Sequence, residues 1–144
     1  MLILASGSPR RAKILRDCGV EFTVVKSDAP EVSYPRDPER TVKENALAKG
    51  AAVSGSNILS ADTIVWFNNR IYGKPRDLDE AKEYLSELSG NVHTVFTGVA
   101  YNGAVRVVKS DVKFRNLSEA MIDEYVARVK PTDRADSSPP VHRF

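Results

Sequence analysis

Leu2-Ile3-Leu4-Ala5-Ser6-Gly7-Ser8-Pro9-Arg10-Arg11 runs from an apolar strand into a turn of small residues and then into a helix start carrying two arginines. Strand, short turn and helix in that order open an α/β domain. The turn leaves backbone N–H groups free at the positive end of the helix dipole, and two guanidinium groups beside it can grip phosphate oxygens in bidentate fashion. The layout points to a bound anion. Taken alone, it names no reaction.

Working outward, Pro9 pre-sets a helix that runs roughly to Cys18, with Ile14 and Leu15 facing inward, and Gly19 stops it. Phe22 to Val25 reads as a second strand. Ser27 to Asp37, with Pro30, Pro35 and scattered carboxylates, reads as a surface loop. Asp37-Pro38 opens a second helix reaching about Val53, followed by a mostly apolar strand from Asn57 to Phe67 that is interrupted by Asp62. Asn68-Asn69 is a hairpin-type turn into Ile71-Tyr72 and the Gly73-Lys74-Pro75 loop. Asp77 begins a third helix that ends near Ser89-Gly90. Two valine-rich runs between His93 and Phe114 flank the hairpin signal Asn102-Gly103. Ser118 then caps a fourth helix with Met121, Ile122, Tyr125 and Val126 on one face. Early alternation of strands and helices followed by a late antiparallel hairpin predicts an α/β domain, a mixed β-sheet with flanking helices. Asp136 to Phe144 has neither period and reads as a disordered tail after a domain spanning residues 1–135.

A chain of 144 residues fits one domain with a real core. Its net charge of +2, with both signs interspersed, gives no face for polymeric nucleic acid. A single cysteine, Cys18, excludes an internal disulfide framework and a multi-cysteine zinc site; it is expected to pack in the first helix as a small apolar residue. Met1 leads into a strand without a signal or membrane-spanning segment, which points to the cytoplasm and to no membrane partner.

Asp62, in Leu59-Ser60-Ala61-Asp62-Thr63-Ile64-Val65, is a carboxylate inside an apolar strand, costly to bury unless it is paired or binds a cation. A salt-bridged structural aspartate is one reading; a ligand for a divalent ion, or a base for an attacking water, is the other. Lys74, between Gly73 and Pro75, suits a triphosphate or is a solvated turn residue, and Lys49 carries the same ambiguity on its helix. Glu31 and Glu44 are candidate magnesium ligands, although Thr41-Val42-Lys43-Glu44 also reads as a capping box and Glu31 as loop solvation. His93 reads as a hydrogen-bonded strand-edge residue. Ser6 and Ser8 read as hydroxyl contacts to phosphate, and Trp66, Phe67 and Tyr72 as core more than a base-stacking wall.

Five ordered motifs gather these residues: LASGSPRR at Leu4–Arg11, ADT at Ala61–Thr63, GKPRD at Gly73–Asp77, LSG at Leu88–Gly90 and TGV at Thr97–Val99. Together they resemble the Maf-type nucleotide pyrophosphatases, formerly described as septum formation inhibitors, over roughly Met1 to Ala135. The resemblance implies hydrolysis of a nucleoside triphosphate between its α and β phosphates with Mg²⁺ or Mn²⁺. It also implies a fold similar to the inosine triphosphate pyrophosphatases, two lobes around a nucleotide cleft. By the same resemblance Asp62 is the catalytic base, Ser6, Arg11, Lys49 and Lys74 grip the phosphates, and Glu31 lies near the metal. Arg10 and Thr63 resemble the specificity positions of the branch acting on dTTP and UTP, and a homodimer is allowed by resemblance alone.

Glu44-Asn45-Ala46-Leu47-Ala48-Lys49 is closer to the ENALxKA segment of inosine triphosphate pyrophosphatases, which adds Glu44 to the metal candidates beside Glu31 and Asp62. Lys130 to Ala135 resembles the start of the family's DKAGAYGIQ segment, and from Asp136 the sequence departs, so the domain reads as C-terminally shortened and lacks the expected base-reading glutamine. The leading expectation is a dTTP/UTP pyrophosphatase. The alternative is a nucleotide-binding regulatory protein of septum formation that keeps the phosphate grip without turnover.

Overall fold

In the computed structural model, which describes residues 1–129, each helix begins where a small polar side chain accepts from the backbone. Ser8 caps α1 (Pro9–Asp17), Asp37 caps α2 (Pro38–Ala51) and Asp77 caps α3 (Leu78–Leu88). Ser118 Oγ accepts from Met121 N at 3.2 Å ahead of α4 (Glu119–Val129). Each contact satisfies an N–H group that the first helical turn cannot pair internally.

The strands are β1 (Leu2–Leu4), β2 (Phe22–Val24), β3 (Ile58–Phe67), β4 (Arg70–Tyr72), β5 (Val92–Tyr101) and β6 (Ala104–Lys113). They form one mixed sheet in the order β2-β1-β3-β5-β6, with β4 also paired to β3. β1 is parallel to both neighbours, Leu4 standing beside Val24 on one side and Leu59 on the other, whereas β4 runs antiparallel to the end of β3. The two tight hairpins use left-handed residues: Asn68 (φ 55°) and Asn69 (φ 60°), then Asn102 (φ 49°) and Gly103 (φ 89°). Turns of this hand match the twist of the flanking strands.

The chain separates into two compact units, one of Met1–Asp62 with Thr97–Val108, the other of Thr63–Phe96 with the described residues from Lys109. In the first, Leu4, Ala5, Val42, Ala46, Val53, Ala61 and Ala100 are buried. Gly98 lies against the α2 backbone, where a Cβ would stand 2.5 Å from the Val42 carbonyl oxygen, so the TGV motif answers to a close approach of strand and helix. In the second unit, Val65, Tyr72, Tyr84, Leu85, Leu88, Val95, Phe114, Ile122 and Val126 form a continuous core. Among the described residues no helix is long and apolar enough to cross a membrane.

Four expectations are corrected. Cys18 is the exposed C-cap of α1, not a packed residue. Ile14 is 42% exposed; in this short helix Ala12 is the buried residue and Leu15 is partly buried. Thr41 is no N-cap: Asp37 starts α2 four residues earlier, and Thr41 is buried within the helix, its hydroxyl donating to the Asp37 carbonyl at 3.1 Å. His93 is buried on β5, a strand flanked on both sides, with its ring edge-on to Phe114 at 4.6 Å. The expected tail, Asp136 to Phe144, and the segment from Lys130 lie outside the described residues.

Candidate functional site

β1 delivers the loop Ala5–Ser8 to the end of the sheet, with Ala5 N donating to the Leu59 carbonyl at 2.9 Å. Ser6 is buried and its Oγ accepts from Ser8 N at 3.0 Å, while Ser8 Oγ accepts from Arg11 N at 3.4 Å. Gly7 has ordinary negative-φ backbone and open space where a Cβ would project, so the loop leaves room in front of its own backbone. Arg11, in the first turn of α1, reaches the Ala61 carbonyl with Nη1 at 3.4 Å and so lies beside the strand residue that precedes Asp62. Arg10 is half-buried on the same helix turn.

Asp62 is 6% exposed on β3 and is held from one helix face. Lys49 Nζ donates to its Oδ1 at 2.8 Å and Asn45 Nδ2 donates to its Oδ2 at 3.2 Å. Asn45 and Lys49 are four residues apart on α2, the spacing that puts two side chains on one face. Glu31 Oε1, from the long loop before α2, is 3.5 Å from the same ammonium. The structure thus brings together Glu31, Lys49 and Asp62 around one positive charge, with Arg11 one residue along the strand. The ammonium has three N–H donors; two face these carboxylates and one is left for a further acceptor.

Glu44 is turned to a different partner set. Its Oε2 accepts from Arg40 Nε at 2.5 Å and its Oε1 from the Tyr34 hydroxyl at 3.0 Å. The Arg40 hydrogen bond, with help from Tyr34, holds the Glu44 carboxyl below its ordinary range. Tyr34, whose ring carries the Arg40 guanidinium 4.1 Å from its centre, fastens the loop to α2 together with Thr41, which accepts from Tyr34 N at 2.9 Å. Thr63 follows Asp62 directly along β3 and is buried, at the start of the second unit.

Lys74 belongs to that second unit, exposed in the loop between β4 and α3, ahead of the buried Pro75. The loop is pinned at both ends by carboxylates of α3. Tyr72 donates to Glu87 Oε1 at 2.9 Å on one side, and Glu80 Oε1 accepts from Arg76 N at 3.0 Å on the other. The Arg76 backbone N–H is the main reason the Glu80 carboxyl titrates below its usual range.

Asn45 and Tyr34 are the residues that sequence reasoning missed. The signal for Asn45 was present: Val42, Ala46 and Asn45 share the buried stripe of α2, and an amide in that stripe needs partners. No group of three or more His, Cys, Asp or Glu side chains is arranged as a complete metal cage among the described residues. A groove of ≈ 390 Å³ in the first unit, lined by Leu47, Gly50, Val53, Ile58, Ala100 and Asn102 among others, contains none of the predicted site residues.

The description "Maf-like protein" belongs to the family model that matches residues 1–138 of this chain. A protein of Bacillus cereus (strain B4264) named dTTP/UTP pyrophosphatase is 43% identical over 145 aligned positions, covering 94% of this chain and 76% of its own length. Proteins of the same name from Bacillus anthracis and from Bacillus thuringiensis subsp. konkukian match at the same 43% identity and the same coverage.

Proposed function

The chain belongs to the Maf-like protein family, and from that premise we propose that it hydrolyses a nucleoside triphosphate of the dTTP/UTP class between the α and β phosphates, giving the monophosphate and pyrophosphate. The observation that carries the assignment of roles is the buried Asp62 carboxylate, bonded by Lys49 at 2.8 Å and flanked by Arg11. That is a carboxylate within reach of groups that bind phosphate.

Asp62 accepts one hydrogen bond on each oxygen, which leaves lone pairs on both to take a proton from an attacking water. Lys49 offers its remaining N–H to a phosphate oxygen while two carboxylates hold it in place, and Arg11 offers its fork from the first turn of α1. The loop Ser6-Gly7-Ser8 lies at the positive end of that helix, where open space over Gly7 suits an anion. Lys74 is assigned to the phosphate grip from its place in the GKPRD motif alone. Arg10 and Thr63 are assigned to selecting the base.

Glu31 and Asp62 are an oxygen donor pair of the kind that holds Mg²⁺ or Mn²⁺ together with substrate phosphates and waters. Glu44 would join that set only if released from Arg40 and Tyr34. A divalent ion held there would supply positive charge to the phosphate oxygens. No covalent intermediate is required, and the activity is placed in the cytoplasm, acting on free nucleotides.

The test is product analysis on the purified chain with dTTP, UTP, CTP, 7-methyl-GTP and ITP in Mg²⁺ or Mn²⁺. Monophosphate plus pyrophosphate from dTTP or UTP is expected, and Asp62→Asn should lower turnover by roughly 10²-fold or more while nucleotide affinity stays within several-fold. Binding of dTTP without product overturns the hydrolase in favour of a nucleotide-binding regulator, and diphosphate plus phosphate overturns the cleavage position.

A further inference from the structure

Asn45 sits 4% exposed in the middle of α2, where an apolar residue or alanine would serve both the helix and the core better. Both amide protons and the amide oxygen are engaged. Oδ1 accepts from the Val32 backbone N–H at 2.8 Å, one Nδ2 proton goes to the Val32 carbonyl at 2.9 Å, and the other goes to Asp62 Oδ2 at 3.2 Å. Only this orientation of the amide works, because turning it over would set its oxygen against a carbonyl and a carboxylate.

The pair of bonds to Val32 copies the way one β-strand holds another, and the residue held is the neighbour of Glu31. One buried amide therefore fixes two things: the Oδ2 side of Asp62, and the segment that brings Glu31 to 3.5 Å from Lys49. We infer that Asn45 is a positioning residue for the pyrophosphatase reaction, acting through Asp62 and the Glu31 segment and making no contact with substrate. The inference rests on the hydrolase reading above.

A structural role and a positioning role separate in a double-mutant cycle. Asn45→Ala should lower kcat on dTTP by roughly 10- to 10²-fold, the scale of a small misplacement of a reacting group, with KM changing by no more than about threefold. In the Asp62→Asn background the same substitution should cost less than about threefold in kcat, since groups that act as a unit are strongly non-additive. Asn45→Leu tests the point without leaving a cavity: it fills a similar volume but can neither donate to Asp62 nor bond Val32. It should lose at least as much kcat as Asn45→Ala. Equal kcat losses from Asn45→Ala in the two backgrounds, or near-wild-type kcat for Asn45→Leu, overturn the positioning role while leaving the hydrolase intact. A wild-type chain that releases no pyrophosphate overturns the hydrolase reading and this inference together.

Discussion

Replacing Lys49 with methionine keeps the unbranched stem, one atom shorter, and removes the charge that Asp62 faces. The pair is short, 2.8 Å, and its side chains are 20% and 9% exposed. Loss of one partner of a fully buried pair costs about 3–5 kcal/mol, chiefly because the other charge is stranded, and loss of one charge-assisted hydrogen bond costs about 1.5–3 kcal/mol. Lys49 is partly in solvent and Asp62 keeps the Asn45 bond, so the lower range applies and Lys49→Met should destabilise by about 2–3 kcal/mol. Lys13→Met is the control. Its partner Asp17 is four residues on, with side chains 70% and 63% exposed, and such pairs contribute about 0.3–0.5 kcal/mol. Urea unfolding followed by circular dichroism reads both. With a slope of about 2 kcal/mol per molar, Lys49→Met moves the midpoint down by roughly 1 M and Lys13→Met by at most about 0.3 M. Adding Asp62→Asn to Lys49→Met removes the stranded charge and should return part of the loss. Equal midpoints for the two lysine variants, or a double variant less stable than Lys49→Met, refute the view that Lys49 neutralises a buried carboxylate.

Gly98→Ala should cost about 1–3 kcal/mol or more, since its Cβ would meet backbone atoms of Val42 that cannot swing aside; a change under about 0.5 kcal/mol in the same unfolding assay refutes the close approach. Burial pushes the Tyr72 and Tyr84 phenols up to about 12, whereas the unfolded chain releases those protons near pH 10. Above pH 10 the unfolded state binds fewer protons, so this stability is fully present below about pH 10 and falls between about 10 and 12; Tyr72→Phe should flatten that decline, and an unchanged slope refutes it. Lys74→Ala, at an exposed position, should leave stability within about 0.5 kcal/mol while lowering kcat/KM for dTTP by roughly 10-fold or more, and unchanged kcat/KM removes Lys74 from the phosphate grip.

Most of the fold was legible because its boundaries are set by local chemistry. Ser8-Pro9, Asp37-Pro38, Asp77 and Ser118 each start a helix by a side-chain oxygen that reaches only two or three residues on, and the two asparagine turns need no distant partner. What was misread depends on neighbours far along the chain. A Thr-x-x-Glu pattern at Thr41–Glu44 has the spacing of a capping box, yet Asp37 captures the helix first and Thr41 becomes a buried staple for the loop. Alternation along a strand tells which side chains point in, but not whether the strand has neighbours on both sides, so His93 was read at an edge that β6 covers.

The site divides in the same way. Asp62 declared itself, because a carboxylate in an apolar run must be compensated, but the sequence left its compensation open between a cation and a salt bridge. In the structure the salt bridge is present, and it does not exclude the catalytic reading, since the partner is Lys49, itself a candidate for phosphate, placed 13 residues away by the helix-to-strand return. Glu31 and Glu44 could not be ranked from sequence, both being carboxylates near α2. One helix step sets them apart: Asn45 and Lys49 face Asp62 while Glu44 faces Arg40 and Tyr34, and Glu31, in the loop that Asn45 holds, stands at the Lys49 ammonium. A charge cluster of this kind is a product of three segments meeting, and the local pattern of any one of them contains only its own third.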